Sequence, residues 1–144
     1  VPFDPLDINS LTYDGTELRR AALLGVMAAG TGLSARSGIR PGDPGLAVTL
    51  SGTTINVSAG AAWIYQSGQG VYRAVMTATN SANTLTAAHA TLTRIDLVYL
   101  RVWDTSVDSS GLNQADVVYL AGTPSGTPAA PTPAGTQIYV PLAT

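Results

Sequence analysis

From Leu46 onward the chain never keeps one run of alternating residues for long, and this confines it to short strands. Leu46, Val48 and Leu50 alternate with Ala47 and Thr49 before Ser51-Gly52. Ile55 and Val57 alternate again before Ala59-Gly60, and the apolar run Ala61 to Tyr65 ends at the glycine-rich stretch Ser67 to Gly70. Alternation puts successive side chains on opposite faces of a strand, while Gly and Ser allow the reversals between strands. Turns at such close spacing predict a mainly β fold, an antiparallel sandwich or a barrel-like body.

The strongest strand signal is Arg94 to Trp103, RIDLVYLRVW. Ile95, Leu97, Tyr99, Arg101 and Trp103 share one face; Asp96, Val98, Leu100 and Val102 share the other. Both faces are mostly apolar, which predicts a central strand covered on both sides. Asp116 to Ala121 reads as a second buried strand. Residues 122–135 hold four prolines and no large side chain, so they form an extended connection. Gln137 to Leu142 is the last strand, and Pro141 predicts that it lies at an edge or ends there. The core candidates are Trp63, Ile95, Leu97, Tyr99, Trp103 and Val118.

The first 45 residues read differently. Residues 1–13 carry two prolines and three isolated apolar anchors, Phe3, Leu6 and Ile8. Proline fixes φ and removes a donor, so this is an extended arm. Asp14 and Glu17 have the spacing of a capping box, which predicts one N-terminal helix over residues 15–29 with Gly30 as its stop. Leu18, Ala22 and Gly25 lie on its apolar stripe, with Arg19 and Arg20 towards a solvated side. Residues 31–45, rich in Gly, Ser and Pro, form a linker. The expected organisation is a docking and oligomerisation segment over 1–45 and a β body over 46–144. The candidate docking residues are Phe3, Leu6, Ile8, Leu18, Ala22 and Gly25.

Composition narrows the function. Only 11% of residues are charged, the net value is −2, and all seven basic residues are Arg. No clustered basic footprint exists to neutralise phosphates, so nucleic acid is not an expected partner. The longest apolar run, Ala21 to Ala29, is well short of the roughly 18 to 20 residues that span a bilayer, so no membrane insertion is expected. With no Cys there is no thiolate nucleophile, disulfide or thiolate metal site.

The single His89 has no neighbouring carboxylate and nucleophile to make it a general base, and reads as a hydrogen-bonded loop residue. Asp104 and Asp108 share a loop but lack the ligand spacing of a calcium loop, and the Gly-rich pieces lack the lysine of a phosphate loop. Trp63, Tyr65, Tyr72, Tyr99, Trp103 and Tyr119 would serve either as cross-strand packing or as a sugar-stacking platform, packing being the better reading. Arg94 and Asp96 suggest a structural ion pair. The chain is therefore expected to be no enzyme and to take no cofactor or metal.

Four segments carry a resemblance: GLAVTLSGTTINVSAGAAWI (Gly45 to Ile64), TLTAAHATLTRIDLVYLRVWD (Thr84 to Asp104), ADVVYLAGTPSGTPAAPTPAG (Ala115 to Gly135) and IYVPLA (Ile138 to Ala143). In this order they resemble a module of minor tail, baseplate and tail-fibre proteins of actinobacterial bacteriophages. The match covers about two thirds of the chain, and the N-terminal arm and helix match less clearly. The resemblance implies a virion structural protein, often a homotrimer, that carries or connects receptor-binding parts and has no catalytic residues to transfer. Its expected partners are other tail, baseplate or capsid proteins and a host cell-surface glycan. A carbohydrate-binding module, a capsid-surface fibre and, more remotely, a glycan depolymerase are the competing expectations.

Overall fold

The computed structural model describes residue 12, residues 14–135 and residues 137–144. The candidates Phe3, Leu6 and Ile8 lie outside the described residues. The fold is mainly β, with one short helix near the N-terminus and three antiparallel three-stranded sheets. In chain order the strands are β1 (Gly38–Ile39), β2 (Val48–Ser51), β3 (Thr54–Val57), β4 (Gly60–Gln66), β5 (Gly70–Met76), β6 (Asn80–Thr84), β7 (Leu97–Asp104), β8 (Asn113–Leu120) and β9 (Ile138–Ala143). The sheets have the orders β1-β4-β5, β2-β3-β6 and β8-β7-β9.

All three sheets contribute to one core. Leu46, Ile55, Val57, Ala62, Ile64, Ala74, Val98, Leu100, Val117, Ile138 and Val140 pack together, with the ring of Tyr72 among them. β4 packs against β9 and β6 against β8, so the sheets wrap the core in succession. Asn83 of β6 donates its side-chain amide to the Val117 carbonyl of β8 at 3.0 Å, tying two sheets through an edge that would otherwise lack a partner.

Turn chemistry sets the register. β2 and β3 join through Gly52-Thr53, with Gly52 at φ +60 as the first central residue of a tight hairpin turn. Where the chain enters the body, Gly45 and Gly60 touch backbone to backbone. A Cβ on Gly45 would sit 2.6 Å from the Ala59 carbonyl oxygen and from the Gly60 Cα. This crossing lets the Leu46 amide donate to the Ala59 carbonyl (3.3 Å) and seats Leu46 in the core with a positive φ of 56.

β7 is the central strand of its sheet, between β8 and β9, and is buried on both faces over its first four residues, Leu97 to Leu100. β9 is an edge strand. Tyr99 pairs with Pro141 and Val98 with Ala143, so the ladder shifts register beside the one residue that has no amide hydrogen to give.

Several expectations need correction. The helix is α1 (Gly15–Ala21) followed by a 3-10 turn (Ala22–Gly25), not a helix to residue 29. The Asp14–Glu17 capping box is present: Glu17 N–H donates to Asp14 Oδ1 (2.9 Å) and Asp14 N–H to Glu17 Oε2 (3.0 Å). Gly25 disfavours helix and Val26 turns extended, at φ −124 and ψ 163. Cross-strand bonding then takes over: Arg36 N–H donates to the Met27 carbonyl (2.9 Å) and Ala28 bridges Ala35. Gly30, at φ +96, serves this loop and does not close a helix. The linker is more than a connection, because it supplies β1, whose Gly38 and Ile39 pair with Trp63 and Ala62. β6 was not expected at all.

Candidate functional site

Two polar clasps hold the described chain together. The first joins two of the resemblance segments, Thr84 to Asp104 and Ala115 to Gly135. Arg94 Nε donates to Asp96 Oδ1 at 2.8 Å, Tyr119 Oη to Asp96 Oδ2 at 2.7 Å, and the Gly122 amide to Asp96 Oδ1 at 2.8 Å. The Arg94 guanidinium then reaches back to the Ala87 carbonyl (2.6 Å) and to the Thr86 carbonyl, so residues 86–94 wrap around it. Burial alone would raise the Asp96 carboxyl. The Arg94 guanidinium, the Gly122 amide and the Tyr119 hydroxyl together hold it below the usual carboxylate range. Gly122 has no room for a side chain, since a Cβ there would lie 2.0 Å from the Ile95 carbonyl oxygen.

The second clasp seats α1 on the body. Arg19 lies over the Tyr72 ring, 4.5 Å from its centroid, and its Nη1 stands 3.4 Å from Asp104 Oδ2. Its Nη2 donates to Gln69 Oε1 (2.9 Å) and Nε to the Gln69 carbonyl (3.3 Å). Tyr72 Oη donates to the same Asp104 Oδ2 at 2.8 Å. Burial, and then the bond to Asp104, push the Tyr72 hydroxyl above its ordinary range. The Ser106 hydroxyl and amide, with Tyr72 and Arg19, hold the Asp104 carboxyl down against burial. Contact is close because Gly70 has no side chain: a Cβ there would meet the Arg19 carbonyl carbon at 2.7 Å. Arg19 therefore faces the body, which corrects the solvated face expected for it. Neighbouring Arg20 donates to the Gly68 carbonyl at 3.3 Å.

The outer face of the third sheet carries a further polar group. Arg101 and Asp116 pair across β7 and β8 in a two-pronged contact, at 3.0 and 2.6 Å. The Arg101 guanidinium also lies 3.9 Å from the Trp103 ring centroid. Tyr99 Oη donates to Gln137 Oε1 at 3.0 Å, and its ring meets Tyr139 edge-on.

Chemically, these groups mostly close on one another. His89 Nδ1 accepts from the Thr91 and Leu92 amides, at 3.2 and 3.1 Å, and so caps its own loop. Asp104 caps the single helical turn α2 (Thr105–Asp108), while Asp108 accepts from the Ser110 amide and hydroxyl. Among the described residues no three His, Cys, Asp or Glu side chains gather as a metal would require, and no helix is long and apolar enough to cross a membrane.

The expected site residues do not converge. Of the core candidates, Leu97 and Tyr99 are buried, whereas Ile95, Trp63, Trp103 and Val118 are only half-buried. Trp63 and Val118 are expected in the core, but Ala62, Ile64 and Val117 are the buried residues of β4 and β8. Ile95 precedes β7, and Trp103 lies where the strand leaves the core. Of the docking candidates, Leu18 and Gly25 are exposed and Ala22 is half-buried. Gly25 lines an apolar groove together with Val26, Met27, Ile39, Pro41 and Trp63. Sequence reasoning missed this groove and the role of Arg19. An arginine five residues past an N-cap, followed far downstream by a lone Tyr and Asp, carries no local signal.

Comparison with family models, characterised proteins and solved structures gives no match.

Proposed function

We propose that the chain is a structural protein of a bacteriophage particle, part of the tail tip, baseplate or a fibre, which anchors or forms a host-attachment appendage and acts without catalysis. The observation that carries this reading is the first clasp. Arg94 and Asp96 come from one segment of the tail-module resemblance, and Tyr119 and Gly122 from another. Residues of two separate segments of the resemblance thus meet in one bonded cluster. A structural module built from these segments would need a contact that holds them together, and the cluster supplies one. The ion pairs Arg19–Asp104 and Arg101–Asp116 support the same reading, since each joins one fold element to another.

Gold-labelled antibodies against the chain, applied to particles of the phage that encodes it, test the proposal. Label at the tail end or on a fibre is expected. Label on the capsid shell moves the assignment to a capsid-surface fibre, and particles without label overturn it.

A second reading, recognition of host glycan, draws on the outer face with Trp103, Tyr139, Arg101 and Asp116. Arg101 already covers part of the Trp103 ring, which leaves less of it for a sugar to stack on. Specific binding on a glycan array that disappears in Trp103→Ala would favour this second reading.

A further inference from the structure

The apolar groove beside Trp63 has a volume of about 280 Å³. Its surroundings are unusual for this chain, in which most arginines are paired. Arg36 lines the groove, and Arg73 stands directly across the β4–β5 ladder from Trp63 on the same face. Both are exposed, and neither side chain makes a hydrogen bond or ion pair with any described residue. Within the groove Met27 is 61% exposed, and Val75, 69% exposed, lies two residues from Arg73 on the same side of β5. The result is an apolar trough flanked by two uncompensated positive charges.

That chemistry selects an occupant. A sugar presents hydroxyls that need donors and acceptors, yet the trough is lined almost wholly by carbon. The Ser37 hydroxyl at its rim already accepts from the Tyr65 amide at 2.9 Å. An extended peptide with apolar anchors and carboxylates between them fits better. The chain contains one such stretch, the first eleven residues, VPFDPLDINSL, in which Phe3, Leu6 and Ile8 alternate with Asp4 and Asp7.

We infer that the trough of one copy receives residues 1–11 of a second copy, with Asp4 and Asp7 meeting Arg36 and Arg73. Eleven extended residues reach roughly 36 to 40 Å, enough to leave one body and lie along the next. Arm and trough are different surfaces, so the contact is head-to-tail and closes into a ring where the rotation allows. This inference concerns self-association alone and stands apart from the assignment to a phage particle.

A charge exchange in the full chain tests it. One variant carries Arg36→Asp with Arg73→Asp, the other Asp4→Arg with Asp7→Arg. All these positions in the described part are exposed, and circular dichroism verifies that both variants fold. In light scattering across a dilution series, wild type is expected to reach a multiple of the 14.7 kDa chain mass. Each variant alone should associate at least about tenfold more weakly, since like charges then face each other. A chain carrying all four exchanges should recover the wild-type mass, because each basic arm then finds an acidic trough in any ring. A monomeric wild type overturns the inference, as does unchanged association of either variant alone or a folded chain with all four exchanges that does not recover. The immunolabelling result is independent of every one of these outcomes.

Discussion

The two clasps use the same side-chain chemistry but hold very different parts of the molecule. The Arg94–Asp96 clasp lies just before β7, whose first four residues are buried, and its partners include a backbone amide and two carbonyls. The Arg19–Asp104 clasp holds an element with no buried residue of its own. In the body, hydrogen bonds complete an interior that apolar burial already stabilises. At the helix, polar and stacking contacts are nearly the whole attachment. A similar set of bonds is therefore expected to be part of the fold in one place and a local fastening in the other.

Glycine substitutions test this contrast most strongly. Gly122→Ala places a Cβ 2.0 Å from the Ile95 carbonyl, where only backbone can yield. It should cost more than about 4 kcal/mol and lower the denaturant midpoint of the whole β body. Gly70→Ala also clashes, with Arg19 backbone at 2.7 Å and at a φ of +91. Its main effect should be local: amide exchange in residues 15–25 should accelerate while β7 keeps its protection. If Gly70→Ala unprotects β7 as well, the helix is part of the cooperative body and the contrast fails.

Next in size is a pair on one face of β7. Leu97→Ala should cost about 2 to 5 kcal/mol, as for a buried leucine. Trp103→Ala should cost only about 1 to 2 kcal/mol, because the half-buried ring keeps part of its surface in water. Equal losses in urea unfolding would show that the end of β7 is as well covered as its start.

What the sequence revealed follows the same division. The centrality of β7 was legible because Leu97 to Leu100 are four apolar residues in a row, and only a strand covered on both sides tolerates that. Pro141 announced an edge through its missing amide, and Asp14 with Glu17 announced a helix start through their spacing. The faces of β4 and β8 were not legible. In Ala61-Ala-Trp-Ile-Tyr both phases are apolar, and size pointed to Trp63 whereas the core took Ala62 and Ile64. β6, Asn80-Ser-Ala-Asn-Thr, has the composition of a loop; pairing with β3 and the Asn83 bond to β8 make it a strand. The second clasp joins positions 19, 72 and 104, and no local pattern encodes such separations.

The smallest expected effect is the dependence on pH. Asp96 and Asp104 both have carboxyls held below the ordinary value of about 3.9, so each contributes stability that is present above that value and lost as pH falls through its folded-state value. Tyr72 is raised, so its contribution is present below about pH 10 and lost as pH rises beyond its folded-state value. Unfolding free energy should therefore be flat between roughly pH 5 and 9 and fall on either side. Asp104→Asn should remove only part of the acid limb, because Asp96 still supplies the rest. At neutral pH the same variant should speed exchange in α1 more than it shifts the global midpoint. If Asp104→Asn removes the acid limb entirely, the helix clasp and not the body clasp governs acid stability, and the ranking of the two is reversed.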